Sequence, residues 1–135
     1  MTETGNEGVV RKIYEEYNRR NLDTLMDFMA DDITYVDVFA TTYNKKGMRK
    51  MFKEFYLETF SDQRLRADRI VSQGNTVMVE YTWSGTHVKD WAGITAKGKK
   101  FEVHGVEIFV FEVGKVKLYK TYANPNILIQ QLREK

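Results

Sequence analysis

The stretch "HGVEIFVFEVGKV", His104 to Val116, decides how this chain folds. Successive side chains of a strand point to opposite faces. One face then carries Gly105, Glu107, Phe109 and Phe111, and the other His104, Val106, Ile108 and Val110. A run so rich in β-branched and aromatic residues, closed by a turn at Gly114, predicts a strand entering a hairpin. "KVKLYKTYA" (115–123) follows that turn. "TVMVEYTWSGTHV" (76–88) precedes the stretch across a loop holding Trp91 and Gly93, and "RLRADRIVSQ" (64–73) comes before it, joined by Gly74-Asn75. Four strands in succession, linked largely by turns, predict an antiparallel meander.

The same stretch sets a chemical question. Glu112 leads into the turn, but Glu107 lies between Gly105-Val106 and Ile108-Phe109-Val110-Phe111. Its period-two neighbours, extended back to Phe101 and Val103, are apolar. That pattern places the carboxyl against a core or pocket. A wet or interface face is the alternative for a strand glutamate. The opposite face, with Glu102, His104, Val106, Ile108 and Val110, is mixed enough to meet a second copy of the chain.

Ahead of the meander the chain reads as helical. From Glu7 to Arg20, Val10, Ile13, Tyr14 and Tyr17 recur at helical spacing. Asn21 is an N-cap for a shorter helix with Leu22, Leu25, Met26 and Met29 on its apolar side. "ITYVDVFA" (33–40) predicts a strand. "KKGMRKMFKEFYLETF" (45–60) predicts a third helix that buries Met48, Met51, Phe52, Phe55 and Tyr56. Pro125 ends the last strand, and "NILIQQLREK" (126–135) closes the chain as a short helix. The expected architecture is α+β over one domain, residues 1–135. A cone-shaped, curved, mostly antiparallel sheet wraps around the N-terminal helices and encloses a pocket.

Composition excludes several functions. With no Cys among 135 residues, disulfides, thiolate metal sites and Cys nucleophiles are ruled out. Met1 to Gly8 are polar and acidic, with no signal-peptide core, and no apolar run approaches the roughly 20 residues of a membrane span. A soluble, cytoplasmic protein is expected. The net charge is +2, and the one basic cluster, Lys97-Gly98-Lys99-Lys100, reads as a hairpin tip, so no nucleic-acid partner is expected. The only histidines, His87 and His104, fall on separate strands and form no metal set. His87 reads as a loop-end residue at the pocket mouth, and His104 as a surface or interface residue.

Several motifs together resemble a known family. They are Gly85-Thr86-His87, Trp91-Ala92-Gly93, Lys97-Gly98-Lys99, Gly105-Val106-Glu107-Ile108-Phe109 and Gly114-Lys115-Val116, with "NRRNLDTLMDFMADDITYVD" at the front. This pattern resembles the SnoaL-like polyketide-cyclase and ketosteroid-isomerase-like branch of the nuclear-transport-factor-2-like superfamily, over nearly the whole chain. The superfamily hosts enzymes and binding proteins alike, so the resemblance speaks to fold more than to function.

The resemblance implies site residues one position at a time. In isomerase-like members a catalytic Asp follows the Ala-Asp-Asp, which makes Asp37 the expected general base. An acidic residue in the strand before the Gly-Lys turn helps form an oxyanion hole, which makes Glu107 the expected hydrogen-bond donor. The tyrosine that completes that hole aligns with Ile13, with Tyr14 adjacent and Tyr17 one turn on as substitutes. In cyclases an Asp acid/base falls where this chain has Thr121, a departure from cyclase chemistry of the usual kind. Epoxide-hydrolase members carry Arg and Asp where this chain has Tyr81 and Trp83, which argues against that activity. Tyr14, Tyr17, Tyr35, Tyr81, Trp83, Phe109 and Thr121 are the expected contacts of a small hydrophobic ligand.

Two carboxyls in one apolar cavity repel each other, so one stays protonated while the other serves as base. The resemblance thus implies an acid/base enzyme without metal or organic cofactor, working on a small apolar carbonyl compound. Its alternative is a non-catalytic binding or dimerisation domain of the same fold. A homodimer through the His104–Val110 face is expected in either case, because an exposed apolar stripe invites association.

Overall fold

The computed structural model describes residues 5–134. Met1–Thr4 of the polar N-terminus and Lys135 of the expected terminal helix lie outside the described residues. The order is α1 (Gly5–Asn18), α2 (Leu22–Asp27), β1 (Met29–Val36), β2 (Thr42–Tyr43), α3 (Lys45–Met51), a π-helical turn (Phe52–Leu57), β3 (Phe60–Gln73), β4 (Thr76–His87), β5 (Lys100–Glu112), β6 (Lys115–Tyr122) and α4 (Pro125–Arg133). One curved, unclosed six-stranded sheet runs β2-β1-β6-β5-β4-β3. The meander β3 to β6 is antiparallel throughout, and β1 joins β6 in parallel. Among the described residues no helix is long and apolar enough to cross a membrane.

The helices cover the inner sheet face. From α1, Val10, Ile13, Tyr14 and Tyr17 are buried, as their spacing requires. Asn18 continues this contact: its amide exchanges two hydrogen bonds with the backbone of Leu65, at 3.0 and 2.7 Å. Asn21 caps α2 through the Thr24 amide. On β5 the buried set is Phe101, Val103, Glu107, Phe109 and Phe111, while Val106, Ile108 and Val110 are half-buried on the outer face.

Three expected boundaries moved. Met29 begins β1 rather than ending α2, and that strand stops at Val36 instead of Ala40. The register between β1 and β6 slips between Met29 and Thr34, and exposed Asp31 and Asp32 belong to the strand. The segment 37–41 is a turn, with Ala40 at φ +63°. The third helix changes to π-helical winding at Phe52 and runs to Thr59, and only its expected last residue, Phe60, leaves it to open β3. Pro125 starts α4, where its missing N–H costs nothing.

The β5–β6 turn carries a local strain. Glu112 pairs with Lys115, so the loop is Val113-Gly114, with φ of +49° and +76°. Glycine adopts this conformation freely, but a β-branched residue does not. Val113 is 96% exposed, so packing does not compensate. Val113→Asn should therefore stabilise the fold by about 1 kcal/mol, since Asn tolerates a left-handed backbone. A denaturant midpoint unchanged or lowered by Val113→Asn would show that the turn is unstrained.

Candidate active site

Glu107 lies near the middle of β5, between Val79 of β4 and Thr121 of β6. Its inward direction follows from strand alternation, and it is only 5% exposed. Two tyrosines hold the carboxyl: Tyr14 Oη donates to Oε1 at 2.6 Å and Tyr119 Oη to Oε2 at 3.0 Å. Burial pushes the Glu107 carboxyl up to about 7, and hydrogen bonding from Tyr14, Tyr119 and Thr121 keeps it from rising further. The same burial, reinforced by the Glu107 charge, keeps the Tyr14 phenol protonated well above its ordinary value. The result is a fixed carboxyl that exchanges its proton near neutrality, surrounded by phenols that do not.

Beside it, the helices and the sheet enclose a narrow cavity of about 40 Å³. Its walls carry Tyr17, Tyr35, Phe52, Phe55, Tyr56, Tyr81, Trp83 and Tyr119, with Glu107, Thr121 and Asn124 as polar points and Leu128 of α4 at one end. A mostly aromatic concavity with a few converging polar groups is the usual form of a small-molecule site. Buried Gln63 orders part of the wall. Its Oε1 accepts from Tyr17 Oη and from Trp83 Nε1 (2.9 Å), and its amide nitrogen donates to the carbonyls of Tyr56 and Phe60.

Of the residues expected from sequence, Glu107, Tyr17, Tyr35, Tyr81, Trp83 and Thr121 line this cavity. Tyr14 and Phe109 do not: Tyr14 stands behind Glu107 as its donor, and Phe109 is fully buried against Tyr14 and Tyr119. Ile13, the position aligned with the relatives' helix tyrosine, is core, and its neighbour Tyr14 bonds Glu107 rather than facing the cavity.

The two expected carboxyls are not brought together. Asp37 is buried in the turn after β1, where Oδ1 accepts from the amides of Phe39 (2.9 Å) and Thr41 (3.0 Å) and Oδ2 from Tyr43 Oη (2.8 Å). That is the turn-capping use of a short acidic side chain. Asp37 is absent from the cavity wall, and the hydrogen bonds of Glu107 run to tyrosines.

His87 likewise departs from expectation. It closes β4 fully buried against Phe60, away from the cavity wall, with both ring nitrogens unpartnered. His104 is exposed on the outer face, 2.9 Å from Thr82 Oγ1 and 3.4 Å from Glu102. Among the described residues, no three His, Asp or Glu side chains converge as metal ligands would.

Sequence reasoning missed Tyr119, Tyr56 and Gln63. Tyr119 was legible by alternation from Thr121. Tyr56 stood in the buried set of a helix, where nothing separates lining from core. Gln63 fell just outside the expected start of its strand, at an irregularity between Ser61 and Arg64.

Comparison with known proteins agrees with this architecture. The family model for a SnoaL-like domain matches residues 10–119. A candidate polyketide cyclase from Xanthomonas campestris superposes with a TM-score of 0.87 at 21% identity, over 93% of this chain and 95% of that one. IdmH, a candidate polyketide cyclase from Streptomyces antibioticus, gives 0.82 at 21% identity, over 93% and 96%. A candidate SnoaL-like polyketide cyclase from Jannaschia gives 0.86 at 12% identity, over 100% and 99%. At these identities the likeness is one of fold. No curated protein matches the chain in sequence.

The raised Glu107 value has a stability consequence with a definite sign. The folded state retains a proton that the unfolded chain releases at its ordinary value of about 4.5. Stability from the neutral form is complete below that pH, is lost as pH rises to about 7, and then levels. The full loss is about 3 kcal/mol. Glu107→Gln cannot ionise, so it should flatten the decline. Denaturation midpoints of both proteins from about pH 4 to about pH 9 will show this, and parallel curves would mean the carboxyl titrates as in water.

Proposed function

The chain belongs to the family of SnoaL-like domains, and from that membership we propose that it is a cofactor-independent acid/base enzyme of isomerase or polyketide-cyclase type, acting on a small apolar carbonyl compound. One observation carries this reading: a carboxyl that titrates near neutrality, held between Tyr14 and Tyr119 at the wall of an aromatic cavity. A general base works best when its value lies near the operating pH. Two carboxylate oxygens have four acceptor directions between them, so Tyr14, Tyr119 and Thr121 leave one free for the substrate proton.

In this reading Glu107, rather than Asp37, takes the proton. The bond between hydrogen and the carbon next to a carbonyl breaks, and the proton passes to a Glu107 oxygen. The electron pair forms a carbon–carbon double bond, and the carbonyl oxygen gains the charge as an enolate. Return of the proton to another carbon gives isomerisation, and attack of the enolate on a second carbonyl gives ring closure. The aromatic walls favour flat, apolar substrates and keep water from the enolate.

Deuterium exchange into a planar enolisable ketone such as 2-tetralone, followed by NMR, tests the reading. Glu107→Gln should slow exchange by about two to four powers of ten. Asp37→Asn, which keeps the volume and most of the turn's hydrogen bonds, should leave it nearly unchanged. If the ketone binds without exchange, the domain is a small-molecule binder. If Asp37→Asn abolishes exchange in a folded protein, the base is Asp37.

The proposal includes a homodimer through the outer sheet face. Val71, Met78 and Ile108 are lateral neighbours across β3, β4 and β5, and Val106 pairs with exposed Tyr122 of β6. This apolar band, with His104 at its edge, is self-complementary chemistry for a second copy. Sedimentation should give a dimer at about tens of micromolar, and Ile108→Lys should shift it toward monomer. A wild-type monomer at that concentration would refute the dimer.

A further inference from the structure

Gly105 is the inward-facing residue of β5 that has no side chain, and its cross-strand partner on β4 is Tyr81. A Cβ built on Gly105 would stand 2.6 Å from Tyr81 Oη, 2.7 Å from its Cζ and 2.4 Å from the Tyr122 carbonyl oxygen. Real Cβ atoms do not approach so closely, so the phenol occupies the space that a side chain at 105 would need. Lying across β5, it reaches β6, where its hydroxyl meets Thr121 Oγ1 at 3.0 Å. Thr121 is in turn the cross-strand partner of Glu107. The missing side chain thus lets a tyrosine of β4 cross β5 and reach Thr121 on β6, beside the carboxyl.

Tyr81 and Thr121 both line the cavity, and one hydrogen bond joins them. Each hydroxyl has one hydrogen to donate. When Glu107 is ionised, Thr121 can donate to it and Tyr81 to Thr121. When Glu107 has accepted a proton it no longer requires that donor. Thr121 can then donate to Tyr81, which frees the phenolic hydrogen for a ligand in the cavity. The chain of hydroxyls therefore presents a donor to the ligand at the stage when the ligand oxygen carries charge.

We infer that Tyr81, seated over Gly105 and linked through Thr121 to Glu107, donates the hydrogen bond that stabilises the enolate oxygen, and that Gly105 is a positioning residue that leaves the room this donor needs. The inference rests on the reading of Glu107 as the proton acceptor. The carbon-bound proton goes to Glu107, the carbonyl oxygen gains the negative charge, and the Tyr81 hydrogen bond shortens toward it without transferring its proton. The ligand class follows: a flat ketone whose oxygen reaches Tyr81 while its α-carbon faces Glu107.

Two measurements test this on the full chain. In 2-tetralone exchange, Tyr81→Phe and Gly105→Ala should each slow kcat by about a hundred- to a thousandfold. Because both remove the same donor, the double variant should be no slower than either single one. Thr121→Val, which breaks the link but leaves the phenol, should cost about tenfold. In the second measurement, made in a Glu107→Gln background so that position 107 is uncharged at a pH where the naphthol is ionised, 2-naphtholate stands in for the enolate. Tyr81→Phe should weaken its binding by about ten- to a hundredfold while leaving neutral naphthalene unaffected.

The outcomes separate the two readings. If Glu107→Gln stops exchange but Tyr81→Phe leaves both exchange and naphtholate affinity intact, the donor role is overturned and the base stands. If the wild type exchanges no ketone, the acid/base reading fails, and the donor role fails with it unless naphtholate binding still depends on Tyr81. Should Gly105→Ala not fold, Tyr81→Phe and Thr121→Val carry the test. Additive effects of Gly105→Ala and Tyr81→Phe in folded proteins would dissociate the glycine from the donor.

Discussion

Burying the Glu107 carboxyl removes hydration that only hydrogen-bond donors can replace. Those donors come from different parts of the chain: Tyr14 from α1, and Tyr119 and Thr121 from β6. Supplying them requires α1 to cross the inner face at the right height and the β5–β6 register to set Thr121 opposite Glu107. A slip of one residue in that ladder would turn Tyr119 and Thr121 to the outer face and leave the carboxyl with Tyr14 as its one donor. The register that satisfies the carboxyl also buries Phe109, Phe111 and Val116, so core packing and site geometry demand the same alignment.

The aromatic interior serves two purposes. Rings from α1, the π-helical turn and the sheet pack edge-on, as with Tyr56 against Trp83 at 5.3 Å and Tyr35 against Tyr119 at 5.0 Å. Such contacts hold without a filled centre, because rigid rings support one another around a gap that flexible aliphatic chains would close. Gln63 fixes two of the rings through hydrogen bonds rather than packing. The cavity is therefore a property of the core's composition.

Much of the fold was legible because period-two and period-3.6 patterns are local. The α1 face, the Asn21 cap, the four-strand meander and the inward direction of Glu107 all follow from spacing within a single element. What misled was composition without context. "TYVDVFA" has strand-like residues, yet Asp37 captures the amides of Phe39 and Thr41 and ends the strand early. Met29 shares the apolar spacing of α2, yet it opens β1, where Asp31 and Asp32 lie exposed beside an irregular register. The resemblance aligned its helix tyrosine with Ile13, and only the rotation of α1 against β5 shows that the neighbouring Tyr14 bonds Glu107.

The amino-acid sequence by itself determined which residues could be inside, because alternation and helical spacing assign each side chain to a face before any partner is known. It placed Glu107 among apolar neighbours, and it resembled a family whose fold the chain shares. Only tertiary structure decided what meets what. Whether two acidic residues share a cavity depends on where a turn falls after β1. Whether Tyr81 reaches Thr121 depends on an empty Cβ position on the strand between them. Those are contacts between elements distant in sequence, and no local pattern encodes them, since the energy that fixes them arises only when the elements pack.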